Sequence, residues 1–283
     1  MPELPEVETI ARGLAAEVEN RRILSLEIQD PTALMPSPET FASLCMGRVI
    51  THVGRRAKLL LLHLDDGGVL AVHLRMTGRV MYHAPGEEPD RPRAVLLLEG
   101  GVCLSFADVR RFGSMHAFTA PGTPGGIEHW PFYRDLGPEP LEITAEDFQQ
   151  RIASTGKKGS GKSSRARIKA LLLDQHIIAG IGNIYADESL FRAGIRPDTP
   201  ACNIGATGLA KLFAAIQAVL TQAIAENGSS IRDYRNAHGD AGAFQNSFMA
   251  YGREGQPCTV CRRLMTSAKV AGRTSTFCEN CQK

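Results

Sequence analysis

The chain opens with Met1-Pro2-Glu3-Leu4-Pro5-Glu6-Val7-Glu8, a stretch that combines a helix start with a chemical group that no internal side chain supplies. Removal of Met1 by an aminopeptidase, which acts when residue 2 is small, would leave Pro2 as a secondary amine. An α-amino group titrates near ~8, against ~10.4 for lysine, so more of it is unprotonated at neutral pH and able to act as a nucleophile. The structural alternative is that Pro5 merely occupies the first turn of a helix, where proline is favoured.

After this opening, the first half of the chain is rich in predicted β-strands. A helix is predicted over Pro5 to Leu14 because its apolar residues recur on one face, and short β-rich segments follow, several of them separated by Gly-rich turns. The segments are Ile23 to Ile28, Val49 to Val53, Lys58 to Leu64, Val69 to Leu74, Arg79 to Tyr82, Ala94 to Leu98 and Val102 to Phe106. Strands at this spacing indicate a sandwich or a barrel.

After Pro140, the second half of the chain is predicted to be mainly helical. Its longest predicted helix runs from about Leu209 to Glu226, with an apolar face along its length and Asn227-Gly228 able to stop it. Shorter helices are predicted at Ala145 to Ile152 behind Thr144 as a cap, at Ala166 to Asp174 and at Ile184 to Ala193. This change places a domain boundary between Leu136 and Leu141, and 283 residues suit two domains.

Four cysteines near the end of the chain have the spacing of a structural metal site. Cys258-x2-Cys261 and Cys278-x2-Cys281 are separated by 16 residues, and each pair can supply two thiolates from one turn. Four thiolates complete a tetrahedron around zinc, so this metal is expected to fold the segment and not to catalyse. Disulfides or free thiols are the alternative. The loop between the pairs is rich in Arg and Lys and would present basic side chains to phosphate.

A second motif matches a well-known pattern without its structural context. Gly156-Lys157-Lys158-Gly159-Ser160-Gly161-Lys162-Ser163 fits the P-loop pattern G-x4-G-K-S letter for letter. That motif holds phosphate only when a buried strand precedes it and a helix follows it. Here the preceding Glu146 to Ile152 is amphipathic and helical. The stretch from Gly156 to Ser164 is therefore interpreted as a basic Gly/Ser loop.

The charge of the chain is unevenly distributed. The formal net charge is +2, but residues 1–150 carry 14 Lys and Arg against 21 Asp and Glu, whereas residues 151–283 carry 18 against 9. A basic second half indicates a polyanionic partner, with a chance excess as the alternative. No basic stretch followed by an apolar one marks a signal peptide, and the apolar run Leu59 to Leu62 is too short to span a bilayer. We expect a cytoplasmic protein in which Cys45, Cys103 and Cys202 are reduced and packed.

Several short motifs occur in an order that is typical of one enzyme family. They are Pro2-Glu3-Leu4-Pro5-Glu6-Val7-Glu8, Arg55-Arg56-Ala57-Lys58, His73-Leu74-Arg75-Met76-Thr77-Gly78, Asp108-Val109-Arg110-Arg111-Phe112-Gly113, Leu136-Gly137-Pro138-Glu139-Pro140, Gly180-Ile181-Gly182-Asn183-Ile184-Tyr185-Ala186-Asp187-Glu188, Tyr251-Gly252-Arg253 and Gly272-Arg273. With the strand-rich first half and the four-cysteine segment, the chain resembles the bacterial formamidopyrimidine-DNA glycosylases, also called 8-oxoguanine DNA glycosylase/AP lyases. The likeness covers essentially the whole length.

The resemblance implies an α+β fold with an N-terminal β-sandwich and a leading helix, a helix–two-turn–helix domain and a C-terminal zinc-finger β-hairpin. The expected domain bounds are 1–136, 141–250 and 251–283. It also implies one structural zinc ion on Cys258, Cys261, Cys278 and Cys281, with no organic cofactor. The expected partner is double-stranded DNA containing oxidised bases, bound by a monomer in the bacterial cytoplasm, associated with the nucleoid through DNA and not with a membrane.

The family's chemistry implies catalytic roles for four residues. The Pro2 nitrogen would attack the anomeric carbon of the sugar, release the base and form an iminium, which permits β- and then δ-elimination. Glu3 resembles the proton donor that opens the sugar ring, and Lys58 matches the lysine taken to assist β-elimination. Arg273 matches the finger arginine taken to serve δ-elimination, and clamping the phosphate suits it better because arginine scarcely deprotonates. Glu6 would either hold this site together or be a plain helix-start acid.

Three residues are expected to fill the gap left by the damaged nucleotide. A base inside a duplex is out of reach, so the enzyme must extrude it. By resemblance, Phe112 would wedge between bases, Met76 would act as an adaptable plug and Arg110 would hydrogen-bond the unpaired base. The alternative is that Met76 and Phe112 are core residues. Ile231 to Gln245 matches the family's mobile loop over the extruded base, ordered mainly on lesion binding.

Phosphate contacts are expected from four further residues. Asn183 follows a Gly-rich turn that would aim N–H groups at phosphate, and His73 and Arg165 are additional candidates. The chain departs from its relatives at Arg91-Pro92-Arg93, where they often read His-Asp-His, so Arg91 would replace a histidine contact. The insert from Gly156 to Ser164 leaves the correspondence of Arg165 open by several positions.

Two alternatives to an oxidised-purine glycosylase remain at this point. An oxidised-pyrimidine enzyme of the endonuclease VIII type shares the fold, but that branch usually starts Pro-Glu-Gly-Pro-Glu, whereas Leu4 follows Glu3 here. A non-catalytic zinc-finger DNA-binding protein would keep the fold without using Pro2.

Overall fold

The computed structural model describes residues 1–155, 165–231 and 234–283, so the predicted loop from Gly156 to Ser164 lies outside the described residues. The chain forms two compact units. The N-terminal unit comprises Met1–Asp135 with Ile224–Gln245, and the C-terminal unit comprises Leu136–Ala223 with Asn246–Lys283. The sequence-based division assigned residues 224–245 to the helical domain, but Tyr234 and Ala237 lie in the core of the N-terminal unit.

The N-terminal unit is a β-sandwich with helices at its margin. Its helices are α1 (Leu4–Val18), α2 (Pro38–Cys45) and α3 (Pro131–Arg134), and its strands are β1 (Ile23–Ile28), β2 (Leu34–Met35), β3 (Ile50–Arg56), β4 (Leu59–Leu64), β5 (Val69–His73), β6 (Gly78–His83), β7 (Pro92–Leu98), β8 (Val102–Asp108) and β9 (Ser114–Phe118). One sheet has the order β1-β7-β8-β6 and the other β2-β9-β5-β4-β3. All strand pairs are antiparallel except the short pair β2–β9.

One hydrophobic core joins the two sheets and the first helix. Alternate residues of β8, such as Leu104 and Phe106, meet residues of β5, such as Leu70 and Val72, in this core. The apolar face of α1 completes it and extends to Val18, which explains why the helix is longer than the predicted stretch from Pro5 to Leu14. The predicted β-sandwich with a leading helix is confirmed.

The C-terminal unit is helical and ends in a two-stranded hairpin. Its elements are α4 (Ala145–Ser154), α5 (Ile168–Leu173), α6 (Asn183–Ala193), α7 (Ala206–Ala225, whose last two residues belong to the N-terminal unit), β10 (Thr266–Val270) and β11 (Arg273–Phe277). Thr144 caps α4 as predicted, because its hydroxyl accepts a hydrogen bond from Asp147 N at 3.1 Å. Positive φ angles at Ala271 and Gly272 give the two-residue turn that antiparallel hairpins favour.

Helix α7 is the longest helix of the described residues. By length and composition alone it could cross a membrane, which for one helix is weak support because core helices pass the same test. Leu212, Ile216 and Leu220 are fully buried along one face, as expected of a core helix. The helix stops where predicted, since Asn227 and Gly228 both adopt positive φ angles.

Candidate functional site

The start of α1 is fixed by a reciprocal pair of carboxylates. Pro2 and Glu3 are buried, and Glu3 is the N-cap of the helix. Glu6 Oε2 accepts a hydrogen bond from Glu3 N at 2.8 Å, and the two residues form a capping box. We call Pro2, Glu3 and Glu6 the N-terminal corner. The backbone next to the predicted nucleophile is therefore held in one geometry.

Glu6 also connects this corner to the segment after α7. Its Oε1 accepts hydrogen bonds from Ser229 N at 2.8 Å and Ser229 Oγ at 3.1 Å, and Tyr234 donates its hydroxyl to Glu6 O at 3.3 Å. At Gly228, whose φ is +75°, an added Cβ would lie 2.9 Å from Glu6 Oε1. Glu6 is thus more than a helix-start acid, because its two carboxylate oxygens anchor two different segments of backbone.

Lys58 and His73 lie in the adjoining sheet of the same unit. Lys58 is 8% exposed and follows Ala57, which makes the β3–β4 turn with a φ of 54°. His73, at the end of β5, is 6% exposed and accepts a hydrogen bond at Nδ1 from Arg75 N at 3.1 Å. Burial, together with the positive charges of Arg75 and Lys58, lowers the pKa of His73 to about 3. His73 is therefore neutral near pH 7 and could contact phosphate only as a neutral donor.

The predicted wedge residues lie on two exposed loops, residues 75–77 and 109–113, which we call the wedge loops. Met76 is 41% exposed and Phe112 is 54% exposed, so the alternative that they are core residues is wrong. The Arg110 guanidinium lies 4.7 Å from the centroid of the Phe112 ring, within the range of a cation–π interaction. Exposed apolar side chains of this size on neighbouring loops are typical of a binding surface.

A buried carboxylate that the sequence analysis did not single out joins the two wedge loops. Asp108 is 2% exposed, and its Oδ1 accepts hydrogen bonds from Thr77 Oγ1 at 2.5 Å and Arg110 N at 3.2 Å. Its Oδ2 accepts a third hydrogen bond from Gly113 N at 2.7 Å. Asp108 therefore holds both loops from beneath. Its place before the Arg110 motif was visible in the sequence, but its partner Thr77 lies 31 residues away.

The motif Arg91-Pro92-Arg93 divides into one buried and one exposed arginine. Arg93 is 3% exposed, pairs with Asp30 at 3.0 Å and donates from Nη1 to Gly113 O at 2.9 Å. The pKa of Asp30 is lowered, first by its hydrogen bond from Thr32 and then by Arg93. Arg91 is exposed with a φ of 59°. Only Arg91 of this pair presents its side chain to solvent, as a phosphate contact requires.

Asn183 begins α6 in the C-terminal unit. Its Nδ2 donates to Thr274 O at 3.2 Å, which attaches the start of the helix to β11. Its Oδ1 is buried without a hydrogen-bond partner among the described residues. Arg165 and Arg273, two other predicted contacts, are exposed. The structure therefore gives both arginines solvent access, while the amide of Asn183 is partly committed to the hairpin.

An ion pair inside the C-terminal unit was not foreseen from the sequence. Lys169 and Asp187 have side chains that are 0% and 1% exposed, and Lys169 Nζ lies 2.6 Å from Asp187 Oδ1. Lys169 Nζ also donates to Ser275 Oγ at 2.7 Å, and Thr276 N donates to Asp187 Oδ2 at 3.3 Å. Burial raises the pKa of Asp187 to about 7, and the Lys169 ammonium opposes that rise. The pair ties α5 and α6 to β11.

A second buried carboxylate holds the segment that leads to the cysteines. Glu188 is 0% exposed and accepts hydrogen bonds from Met249 N, Ala250 N and Tyr251 N at 2.9, 2.9 and 2.7 Å. Burial raises the pKa of Glu188, and the three N–H groups oppose the rise. Three donors compensate a charge that would otherwise be costly to bury. Tyr251-Gly252-Arg253, part of the family motif, is therefore anchored on α6.

The four predicted metal ligands form one cluster. The Sγ atoms of Cys258, Cys261, Cys278 and Cys281 all lie within 4.8 Å of one another. Cys258 Sγ lies 3.9 Å from Cys281 Sγ, and Cys261 Sγ lies 3.4 Å from Cys278 Sγ. Zinc–sulfur bonds of about 2.3 Å at tetrahedral angles would place the sulfurs about 3.8 Å apart, so the four thiols fit one zinc ion. The predicted structural zinc site is confirmed as a ligand cluster.

Three family models match successive parts of the chain. Residues 1–115 match the formamidopyrimidine-DNA glycosylase N-terminal domain, residues 136–235 match the H2TH domain of the same enzymes, and residues 255–283 match a zinc finger found in FPG and IleRS. Among curated relatives, the formamidopyrimidine-DNA glycosylases of Nitratidesulfovibrio vulgaris and Chloroflexus aggregans are 39% and 44% identical. The alignments cover 100% of this chain in both cases, and 100% and 98% of the relatives.

Solved structures agree with this assignment. The MutM (FPG) protein of Thermus thermophilus is 38% identical with a TM-score of 0.85, over 99% of this chain and 98% of that one. The Lactococcus lactis Fpg in complex with DNA containing an abasic site is 30% identical with a TM-score of 0.88, over 99% of both chains. The wild-type L. lactis protein bound to N7-benzyl-Fapy-dG DNA is 31% identical with a TM-score of 0.88, over 100% of both chains. The chain belongs to the formamidopyrimidine-DNA glycosylase family of DNA glycosylases with AP lyase activity.

Proposed function

We propose that this protein removes oxidised purines, 8-oxoguanine and formamidopyrimidines, from double-stranded DNA and then cleaves the abasic site by β,δ-elimination. The observation that carries the proposal is the N-terminal corner, where the Glu6 carboxylate accepts hydrogen bonds from Glu3 N, next to Pro2, and from Ser229 N in a chain of this family. The L. lactis relative in complex with N7-benzyl-Fapy-dG DNA supports the lesion class. The sequence segments 1–136, 141–250 and 251–283 are the domains of this proposal, with residues 224–245 of the second packed in the N-terminal unit, and the protein acts as a monomer.

The proposed chemistry begins at Pro2 and requires that Met1 be removed. The secondary amine attacks the anomeric carbon of the sugar, the damaged base leaves with the bonding electrons, and the nitrogen loses its proton. The nitrogen lone pair then forms the iminium as the bond from the anomeric carbon to the ring oxygen breaks. Glu3 donates the proton that opens the sugar ring, and its fixed backbone in the capping box with Glu6 supports this role. The iminium then accepts the electrons released when the neighbouring carbon loses its proton, so the 3′ phosphate departs. Loss of a second proton, from the carbon that bears the former ring oxygen, then expels the 5′ phosphate through the conjugated iminium.

Cationic side chains assist the departure of the two phosphates. Lys58 is held at a tight turn in the N-terminal unit and assists the first elimination. Arg273, at the start of β11, clamps the phosphate in the second. Arg91, Arg165, Asn183 and the neutral His73 are the proposed contacts to the remaining phosphates. These contacts position the duplex without reading its sequence.

The wedge loops replace the extruded nucleotide in this proposal. Phe112 and Met76 supply exposed apolar surface, and Arg110, stacked on the Phe112 ring, presents donors to the base left unpaired. Asp108 fixes the positions of both loops before DNA binds, because it accepts hydrogen bonds from each of them. The described part of the segment from Ile231 to Gln245, which leaves out residues 232 and 233, is the proposed cover over the extruded base.

Base excision from defined duplexes tests the proposal. The mature protein is incubated with 8-oxoguanine opposite cytosine and, separately, with thymine glycol, and the release of each base is timed. We expect faster release of 8-oxoguanine, and a loss of about 10²- to 10⁴-fold for Glu3→Gln, the range for a general acid. Glu17→Gln, on the same helix, is the matched control. Preferential release of thymine glycol would favour the endonuclease VIII type, and no release of either base would favour a binding-only protein.

A further inference from the structure

Three potential metal ligands of different chemical types meet on the outer face of the four-stranded sheet. They are His83 at the end of β6, Cys103 on β8 and Glu88 in the connection from β6 to β7, and their ligand atoms all lie within 4.8 Å of one another. His83 and Cys103 are direct partners in the β6–β8 register, so the pleat directs both side chains to the same face. Leu104 and Phe106 point into the core, which leaves Cys103 on the opposite face.

The hydrogen bonds of His83 leave the lone pair of Nε2 to bind a metal ion. Nδ1 lies 2.7 Å from Ala84 O, a carbonyl that can only accept, so Nδ1 carries the hydrogen of the neutral ring. Nε2 then has the lone pair, 2.6 Å from Ser105 Oγ, a hydroxyl that can rotate to another acceptor. Metal-bound histidines almost always donate their other ring N–H in this manner, for example to a backbone carbonyl.

The local charge also favours a cation. The pKa of Glu88 is lowered, first by a hydrogen bond from Gly86 N to Glu88 Oε1 at 3.0 Å, so its carboxylate is ionised at neutral pH. Burial raises the pKa of the Cys103 thiol, and the negative charges of Glu88 and Glu27 raise it further. The Glu88 and Glu27 carboxylates near the thiol favour a cation at this position.

We propose that His83, Glu88 and Cys103 form a second site for a zinc-like divalent cation, separate from the four-cysteine cluster. An imidazole nitrogen, a thiolate and a carboxylate oxygen suit zinc, with a fourth position for water. In a tetrahedral site the ligand atoms lie about 3.3–3.6 Å apart, so the three side chains need to close by at most about 1.5 Å. Glu88 is exposed, and its connection can supply that movement. The thiol proton passes to solvent as the metal–sulfur bond forms.

The expected effect of this metal is on the connection between β6 and β7. Binding would fix Glu88, three residues before Arg91, to the sheet. Arg91 O already accepts a hydrogen bond from Asp108 N at 3.3 Å, at the far end of the same connection. With both ends attached, the connection that carries Arg91 would lose conformational freedom. The site is therefore structural in character, and its metal has no part in the proposed reaction.

Metal stoichiometry of the full-length protein tests this site directly. After saturation with zinc and removal of the excess, we expect two zinc ions per wild-type chain and one in Cys103→Ser. Glu88→Gln, an exposed change that leaves the sheet intact, should weaken the second ion at least about tenfold, as losses of metal-site residues typically do. Cys202→Ser, which removes an exposed cysteine outside the cluster, should keep both ions.

Cobalt supplies an independent readout. A second equivalent of Co²⁺ should add the charge-transfer absorption of a single thiolate, and Cys103→Ser should abolish it while the four-thiolate spectrum of the first equivalent is unchanged. One zinc ion in the saturated wild-type protein would overturn the proposal. A second ion that persists at full affinity in either Cys103→Ser or Glu88→Gln would overturn it as well.

Discussion

The N-terminal corner and the four-cysteine cluster are both held rigidly, but by different physical means. In the corner, the Glu6 carboxylate accepts hydrogen bonds from backbone N–H groups of Glu3 and Ser229. Asp108 does the same beneath the wedge loops. The cysteine cluster depends on four thiolates for one zinc ion, and its hairpin is attached by the buried pair of Lys169 and Asp187. One region is held by several modest interactions and the other by a few strong ones.

Because of this difference, we expect the two regions to lose their structure in different ways. Hydrogen bonds to a charged group contribute about 1.5–3 kcal/mol each, so losing one loosens a loop without unfolding its unit. Structural zinc in small fingers contributes about 10–16 kcal/mol, so its loss is close to all-or-none. The chain offers two separate reporters for the comparison. Trp130, the one tryptophan of the sequence, lies in the N-terminal unit, and zinc release reports on the C-terminal unit.

The largest effect is expected from removing the zinc of the four-cysteine cluster. A strong chelator, or the variant Cys258→Ser, should disorder the hairpin and weaken DNA binding severely, because the thiolates would repel one another without the metal. The fluorescence of Trp130 should show that the N-terminal unit stays folded. Unchanged DNA affinity after complete chelation would remove the proposed role of the finger.

A smaller but still large loss is expected when the buried pair is broken. Lys169→Met leaves the Asp187 carboxylate buried without its cation, which should cost about 3–5 kcal/mol. Zinc release during denaturation should move to lower denaturant concentration, while the Trp130 transition stays in place. The double variant Lys169→Met/Asp187→Leu should regain most of the loss, and Lys211→Met, on the exposed face of α7, is the control. Equal shifts in all three variants would contradict this role.

Asp108→Asn probes the weaker, hydrogen-bonded side of the comparison. Asparagine has only one acceptor oxygen, so it cannot accept hydrogen bonds from both Thr77 and Gly113. We therefore expect the free energy of unfolding, followed by Trp130 fluorescence, to fall by about 1.5–3 kcal/mol. Binding to lesion DNA should weaken because both wedge loops move. Asp90→Asn, an exposed change, should have neither effect. Normal DNA affinity in Asp108→Asn would show that the wedge loops are held by other contacts.

The last predicted effect, similar in size to that of Asp108→Asn, is a pH dependence of the N-terminal unit. The pKa of His73 is about 3 in the folded chain and ~6.5 when unfolded, so the unfolded chain binds the proton first as pH falls. The stability contributed by neutral His73 is full above pH ~6.5 and falls below it by roughly 1.4 kcal/mol per pH unit. Denaturation followed by Trp130 at pH 7 and pH 5 should show this slope, reduced in His73→Gln. Identical slopes in the two proteins would refute it.

Much of the fold could be predicted because its signals are local. Alternating apolar residues and Gly-rich turns gave seven of the strands of the N-terminal unit, and periodicity gave α1, α4, α6 and α7 within a few residues. Strand β9 was missed because it is short and only two of its residues, Met115 and Ala117, are buried, and β2 because it has only two residues. The packing of residues 224–245 with the N-terminal unit depends on contacts between Tyr234 and Glu6, 228 residues apart, which no local pattern encodes.

The residues of the candidate site also divide into those that local motifs indicate and those that only contacts distant in the sequence reveal. The four cysteines, Pro2 and the wedge residues carry short motifs, so the sequence indicated them. The supporting residues Asp108, Arg93, Lys169 and Glu188 act through partners that are distant in the sequence, and an ordinary acidic or basic residue gives no sign of burial. Asp108 and Glu188 lie inside the quoted motifs, and that position is the signal that pointed toward them.

Trapping of the proposed iminium tests the central claim, that Pro2 is the nucleophile, most directly. The mature protein, with Met1 shown by mass spectrometry to be absent, is mixed with DNA containing an abasic site and reduced with borohydride. We predict a covalent protein–DNA adduct whose sequenced peptide carries the DNA on the nitrogen of Pro2, and a weak or absent adduct with Pro2→Gly. An adduct on a lysine such as Lys58, or no adduct from protein with an authentic N-terminus, would contradict the account.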